Sequence, residues 1–123
     1  MTISEALNRA NAVKPNTYVD VDKIRWLSTL DGFIKSEIID THEGGEDVVF
    51  NGYDENTDLS TELLVPAPHD HIYVHWLEAQ IDYANDEYDR YENTMDMYNT
   101  AYTNFKNYYN RTHMPKGKKF NFF

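Results

Sequence analysis

His69, Asp70, His71 and His75 have the residue types and spacing on which metal chemistry could be built. His71 and His75 are four residues apart, which on a helix places two imidazoles one turn apart, the spacing two ligands need to share an ion. Ile72, Tyr73 and Val74 separate them, so the pattern with Glu directly after the first His, which marks zinc hydrolases, is absent. A third ligand would have to come from Asp47 or Glu62. Histidines of this kind more often cap and decorate a helix start, so His71 and His75 stand as weak metal candidates and no cofactor is expected. The many carboxylates raise a second chemistry, general acid/base work, which needs two of them in different environments. Here they fall in an acidic loop and on polar helix faces, where solvated charge is the ordinary explanation. The chain has no Gly-rich phosphate loop, no nucleophile elbow and no cysteine to pair with a histidine. His42 and His113 are assigned no role, and the chain is not expected to be an enzyme.

The 123 residues suffice for one domain with a real core. Without cysteine there is neither a disulfide framework nor a thiolate zinc site. No apolar run reaches membrane-spanning length, and the first residues lack a charged start followed by an apolar stretch, so the chain reads as intracellular at synthesis. Asn110-Arg111-Thr112 matches a glycosylation sequon and carries no weight without a secretion signal. The net charge of −10 argues against general nucleic-acid binding. That charge is unevenly placed. Residues 40–62 hold eight acids and no Lys or Arg; residues 110–123 hold Arg111, Lys116, Lys118 and Lys119 and no acid. Two readings stay open: a solvated loop and frayed tail, or two complementary surfaces for neighbouring copies or other partners.

The elements that would position these groups are mainly helical. Thr2 followed three residues later by Glu5 is a capping box, and Ile3, Ala6, Leu7 and Ala10 share a face, so a first helix spans 1–14 before Pro15. A second spans 20–43, started by Asp20 or Asp22 as hydrogen-bonding caps and stopped by Gly44-Gly45. Its stripe is Ile24, Leu27, Leu30, Ile34 and Ile38; Lys23, Arg25, Asp31, Lys35 and Glu37 form its polar side, and Gly32 suggests close packing against another helix. Residues 44–69 form a long acidic loop. Val48-Val49-Phe50 and Leu63-Leu64-Val65 are β-prone, so a short β-hairpin and an extended loop are both open. Such a loop is more often functional than accidental, with Glu46, Asp47, Asp54, Glu55 and Asp58 as its partner-facing acids.

Residues 70–112 contain no Gly or Pro and carry an aromatic ladder: Leu77, Ile81, Ala84, Tyr88, Tyr91, Met95, Tyr98, Tyr102, Phe105 and Tyr109 at steps of four and three. One helix of that length would run about 64 Å, against a radius of gyration of about 14 Å for a globule of this size. Either it breaks near Asn85-Asp86 and folds back as a hairpin, or it stays straight and neighbours cover it. The ladder's unbroken phase favours the straight form and compactness the hairpin; the reading adopted is a break within 84–88. So many tyrosines exceed what one helix face can bury, making Tyr91, Tyr98, Tyr102 and Tyr109 candidates for subunit contact. The basic arm 113–123, with Arg111 before it, adds Lys116, Lys118, Lys119, Phe120, Phe122 and Phe123 to that set.

The stretches Leu64 to Asp70 (LVPAPHD), Ile72 to Asn85 (IYVHWLEAQIDYAN) and Tyr108 to Gly117 (YYNRTHMPKG) resemble head–tail connector, or adaptor, proteins of tailed bacteriophages. Ser4 to Asn11 and Tyr18 to Asp31 are similar too, so the resemblance covers nearly the whole chain. Its motifs are packing and loop patterns, not catalytic signatures. The resemblance implies a helical, non-enzymatic virion protein made in the bacterial cytoplasm. It would assemble as a ring, usually of twelve copies, beneath the portal, extending the DNA channel and docking the next head-completion or tail protein. DNA would pass without specific binding, and no membrane is implied. The sequence departs from this pattern at Asp86, where a Gly after the Asn is common. The other reading is a small helical protein-binding module unrelated to phage, with a metal at His71 and His75.

Overall fold

Four helices account for most of the chain in the computed structural model, which describes residues 1–117. They are α1 (Ile3–Val13), α2 (Asp20–Glu37), α3 (Ile72–Ala84) and α4 (Tyr88–Thr112), with single 3-10 turns at Ile39–Thr41 and Gly45–Asp47. The protein is a small, mainly α bundle in which α3 packs along α4 while α1 and α2 pack on α3.

The capping box at the start of α1 forms in both directions. Thr2 Oγ1 accepts from the Glu5 amide and Glu5 Oε1 accepts from the Thr2 amide, each at 3.1 Å. Ile3, Ala6, Leu7 and Ala10 are its buried face. Beyond Pro15, Asn16 Nδ2 donates to Asn11 Oδ1 and to the Lys14 carbonyl, fixing the turn into α2.

Helix α2 differs from expectation in four respects. No side chain caps its start; Asp20 and Asp22 lie in the first turn, where their charge meets the positive end of the helix dipole. It ends at Glu37, short of residue 43, because the chain tightens into a 3-10 turn and doubles back over the helix end. A Cβ on Gly45 would sit 2.4 Å from the Ile39 carbonyl oxygen, so only glycine permits that return. Gly32 faces the Phe50 ring, 3.9 Å from where its Cβ would be, not another helix. Finally, Lys23 and Asp31 are buried, not on a solvated side.

Residues 44–69 are an irregular loop and form no β-hairpin. Val48–Phe50 and Leu63–Val65 do not pair with each other. The second run lies beside the first residues of the chain instead: Leu63 N donates to the Met1 carbonyl and Ile3 N to the Thr61 carbonyl, each at 3.0 Å. Burial explains the choice, since Leu63 and Val65 complete the helical core. Asp54 and Asp58 turn the exposed part by accepting from the amides of Asn56 and Ser60, at 2.8 and 2.9 Å.

The ladder segment is two helices. Asn85 ends α3 and Asp86 takes a left-handed conformation at φ 59°. Glu87 N donates to the Asp82 carbonyl at 2.9 Å and Asp86 N to the Tyr83 carbonyl at 3.1 Å. These are the two crossed bonds of a Schellman motif, with Asp86 where glycine usually stands. Aspartate is among the few other residues that visit this region, which is how the chain turns without Gly. Leu77 and Ile81 from α3 then meet Tyr98, Ala101, Phe105 and Tyr109 from α4 around a core completed by α1 and α2.

Candidate functional site

The histidine group disperses in the fold. His71 Nδ1 lies 3.1 Å from the Pro68 carbonyl oxygen, so that nitrogen carries the proton and donates. The His75 ring stands edge-on to it with centroids 5.6 Å apart. His75 Nδ1 is buried without a hydrogen-bond partner, and Glu78 Oε1 at 3.9 Å is beyond bonding reach. Burial, then the neighbouring His71, holds the His75 imidazole below its ordinary pKa. Burial also raises the Glu78 carboxyl; Lys14 opposes the shift and Asp82 adds to it. His69 turns away onto Tyr108 and Phe105, at 4.8 and 5.8 Å between ring centres. Asp70 and Glu62 instead face the Met1 amino group, at 3.3 and 3.1 Å. Among the described residues no three His, Asp or Glu side chains come together to hold a metal ion.

Two carboxylates that the sequence placed among ordinary surface charge are buried and hydrogen-bonded within the fold. Asp31 accepts from Tyr53 Oη at 2.5 Å, Tyr73 Oη at 2.6 Å and the Leu64 amide at 3.1 Å. It thereby fastens the acidic loop to α2 and α3. Burial raises its carboxyl above the ordinary value, although all three hydrogen bonds pull the other way. The same burial, reinforced by the Asp31 charge, drives both phenols well above theirs. Asp82 on α3 pairs with Lys14 from the end of α1 and accepts from Thr94 Oγ1 of α4 at 3.0 Å. Both Asp31 oxygens and Asp82 Oδ2 meet donors from the fold itself, while Lys14 and Asp82 line a cleft of about 180 Å³ with Asn85, Glu87 and Arg90. The two clusters brace the bundle.

His42 and His113 were assigned no role, yet they form part of a closed assembly at the C-terminal end of α4. The buried His42 ring places Nδ1 2.6 Å from the Ile38 carbonyl and Nε2 2.8 Å from Asn110 Oδ1. It stands edge-on to Tyr109, on whose face His113 stacks at 3.8 Å, and the two histidine rings lie 6.4 Å apart. The backbone follows: Glu43 N donates to the Met114 carbonyl at 2.8 Å and Lys116 N to the Thr41 carbonyl at 2.7 Å. No local pattern in the sequence links residues 42 and 110; they meet only through the long-range fold.

The tyrosine candidates divide. Tyr98 packs on Trp76 with ring centres 5.0 Å apart, and Tyr109 lies against His42; both belong to the core of the single chain. Burial pushes the Tyr98 phenol up to about 12, with Glu37 adding to it. Tyr102 is half-buried and donates to Glu37 Oε2 at 2.7 Å. Tyr91 is half-buried beside Tyr83, and Tyr83 and Tyr88 are the more exposed, at 56% and 54%. At the tip of the α3–α4 hairpin the Tyr83 ring lies 5.8 Å from Tyr88 and 5.2 Å from Tyr91. At the far end of α4, Arg111 and Lys116 are exposed. Lys116 Nζ lies 3.7 Å from Glu46 of the same chain, so the basic end and the acidic loop are neighbours within one molecule. Glu46, Asp47, Asp54, Glu55 and Asp58 are all exposed. Hydrogen bonds from the Ser60 amide and hydroxyl lower the Asp58 carboxyl. Lys118, Lys119, Phe120, Phe122 and Phe123 lie outside the described residues. No helix among the described residues is long and apolar enough to cross a membrane.

No known family model, curated protein or solved structure matches the chain.

Proposed function

We propose that this protein is a structural subunit of the neck of a tailed-phage particle, a head–tail connector that assembles as a ring under the portal and performs no catalysis. The proposal rests on the sequence resemblance together with one observation. The surface carries two unlike patches at opposite ends of α4: the aromatic tip of Tyr83, Tyr88 and Tyr91, and the charged end where Arg111 and Lys116 adjoin the acidic loop. With 25 residues, α4 separates them by about 37 Å. Rings are built from head-to-tail contacts, which require two different patches on each subunit.

In this reading the exposed acids Glu46, Asp47, Asp54, Glu55 and Asp58 face the channel or the next neck protein. Acidic walls repel DNA phosphates and let the duplex slide, whereas basic walls would hold it by releasing its counterions. Native mass spectrometry of the chain mixed with a tailed-phage portal protein tests the proposal. A portal-bound ring, dodecameric by the resemblance, is the expected result; a monomer that leaves the portal unaltered overturns it. Stoichiometric zinc on an otherwise monomeric chain would favour the binding-module reading instead. An image of the assembled ring with loop 44–69 buried against the portal would remove the channel-facing role of the acids.

A further inference from the structure

Asn51-Gly52 lies in the acidic loop between α2 and α3 and takes no part in the function proposed above. Both residues are exposed, and Gly52 holds a left-handed φ of 84°. Among the described residues, neither the Asn51 side-chain amide nor the Gly52 N–H is hydrogen-bonded. The other asparagines that the structure describes differ. In α1 and α4 the N–H that follows each asparagine is held by the helix ladder. The N–H after Asn56 donates to the Asp54 carbonyl, and that after Asn85 to the Tyr83 carbonyl, each at 3.1 Å. Asn16 has its side chain engaged at both ends, donating to Asn11 Oδ1 and accepting from the Tyr18 amide, each at 3.1 Å. Asn51 alone is also followed by a residue with no Cβ to crowd an approaching carbonyl.

We infer that Asn51 is a self-modification site, which deamidates through attack by the Gly52 backbone nitrogen followed by water. The Gly52 N–H gives its proton to hydroxide from solvent, and the nitrogen bonds to the carbonyl carbon of the Asn51 side chain. The bond from that carbon to the side-chain nitrogen breaks, ammonia leaves with a proton from water, and a cyclic imide remains. Water then adds to either imide carbonyl and breaks its bond to the Gly52 nitrogen. Opening at the side-chain carbonyl restores the ordinary backbone with aspartate in place of Asn51. Opening at the main-chain carbonyl leaves isoaspartate, with the chain running through the former side chain. Nothing is oxidised or reduced: amide and water become carboxylic acid and ammonia. The site sits between two anchors on α2. The Phe50 ring faces Gly32 and stands edge-on to Tyr53 at 5.1 Å. Tyr53 N donates to Ser28 Oγ at 3.0 Å, and Tyr53 Oη donates to Asp31. Isoaspartate adds a methylene to the backbone between these anchors, and both products add negative charge to a loop that is already acidic. Deamidation therefore loosens the hold of the loop on α2.

The full chain, folded or unfolded in guanidinium, is held in mildly alkaline buffer made with heavy-oxygen water and mapped by peptide mass spectrometry. Label should enter first in the peptide containing Asn51, as aspartate and isoaspartate, at rates within about threefold in the two states because the fold holds neither reacting group. Label at this site in the unfolded chain alone overturns the inference, as does a first label at any other asparagine. Asn51→Gln keeps the amide but has to close a larger ring, so it should stay unlabelled over the same period; labelling there at the wild-type rate also overturns it. In the aged folded protein the Tyr53 amide should exchange its hydrogen about tenfold faster than in fresh protein. Unchanged exchange at Tyr53 overturns the loosening of the loop.

Discussion

Replacing Asp31 with alanine should be the most damaging single polar substitution in this protein. The residue lies at zero exposure and receives three hydrogen bonds, from Tyr53, Tyr73 and the Leu64 amide. Its removal strands a buried phenol, a half-buried phenol and a backbone amide. A stranded buried donor costs about 1–3 kcal/mol, and loss of one partner from a buried charged cluster about 3–5 kcal/mol. Water reaching Tyr53 offsets part of the sum, which leaves an expected loss of about 3–5 kcal/mol, a large share of the roughly 5–15 kcal/mol that holds a domain folded. Urea denaturation read by tryptophan fluorescence measures it. A loss under about 1 kcal/mol would refute the view that Asp31 fastens loop 44–69 to the bundle. The pH dependence provides a second reading. Because burial raises the Asp31 carboxyl in the folded state, the native protein binds its proton more tightly than the unfolded chain does. The stability Asp31 contributes is therefore fully present below its unfolded pKa and declines as pH rises through the raised folded value. The difference in stability between the wild type and Asp31→Asn should shrink over that window; a difference that grows would show that the hydrogen bonds, not burial, dominate.

Asp86→Val should destabilise the hairpin by about 1–2 kcal/mol because a β-branched residue resists positive φ, whereas Asp86→Gly should be neutral or stabilising by a few tenths; paired thermal melts compare them. His42→Ala removes a buried ring that packs on Tyr109 and bonds Asn110, for an expected loss of about 2–3 kcal/mol, and the Glu43 and Lys116 amides should lose hydrogen-exchange protection with it. In an alkaline titration, Tyr53, Tyr73, Tyr98 and Tyr102 should stay protonated where ordinary phenols ionise. Phenolate absorbance near pH ~10 should then fall short of the value for all ten tyrosines until the protein unfolds. Because these folded values are raised, the stability they contribute is present below the unfolded phenol pKa and is lost as pH climbs through the folded ones.

The helices were legible where one local device set them. The Thr2–Glu5 box, Pro15 and the 3–4 spacing of Ile24 to Ile34 act within a few residues, and the fold keeps all three. The hairpin was legible through a length argument, though its turn residue was not, since Asp86 replaces the glycine that would have announced it. Asp31 and Lys23 escaped because periodicity assigns a charged residue to solvent, while their partners Tyr53, Tyr73 and Asn11 arrive from other segments. His42 escaped for the same reason: Asn110 lies 68 positions away. The short distance between Glu46 and Lys116 was likewise invisible, and it turns two patches read separately along the chain into one mixed surface.

The fastenings of loop 44–69 also determine when it can form. Leu63 and Thr61 bond to the first residues of the chain, Leu64 to Asp31, Val65 to Tyr73 Oη, and residues 41–43 just before the loop to residues 114–116. Apart from the eight-residue tie of Val65 to Tyr73, these ties span long stretches of sequence, so closing the loop costs chain entropy that only an assembled bundle can offset. The expected order is therefore that the loop locks late, after the barrier to folding has been crossed. Weakening its ties should leave the refolding rate nearly unchanged and appear almost wholly as faster unfolding. The acidic loop is thus a kinetic latch: it sets how long the folded bundle lasts more than how quickly it is reached.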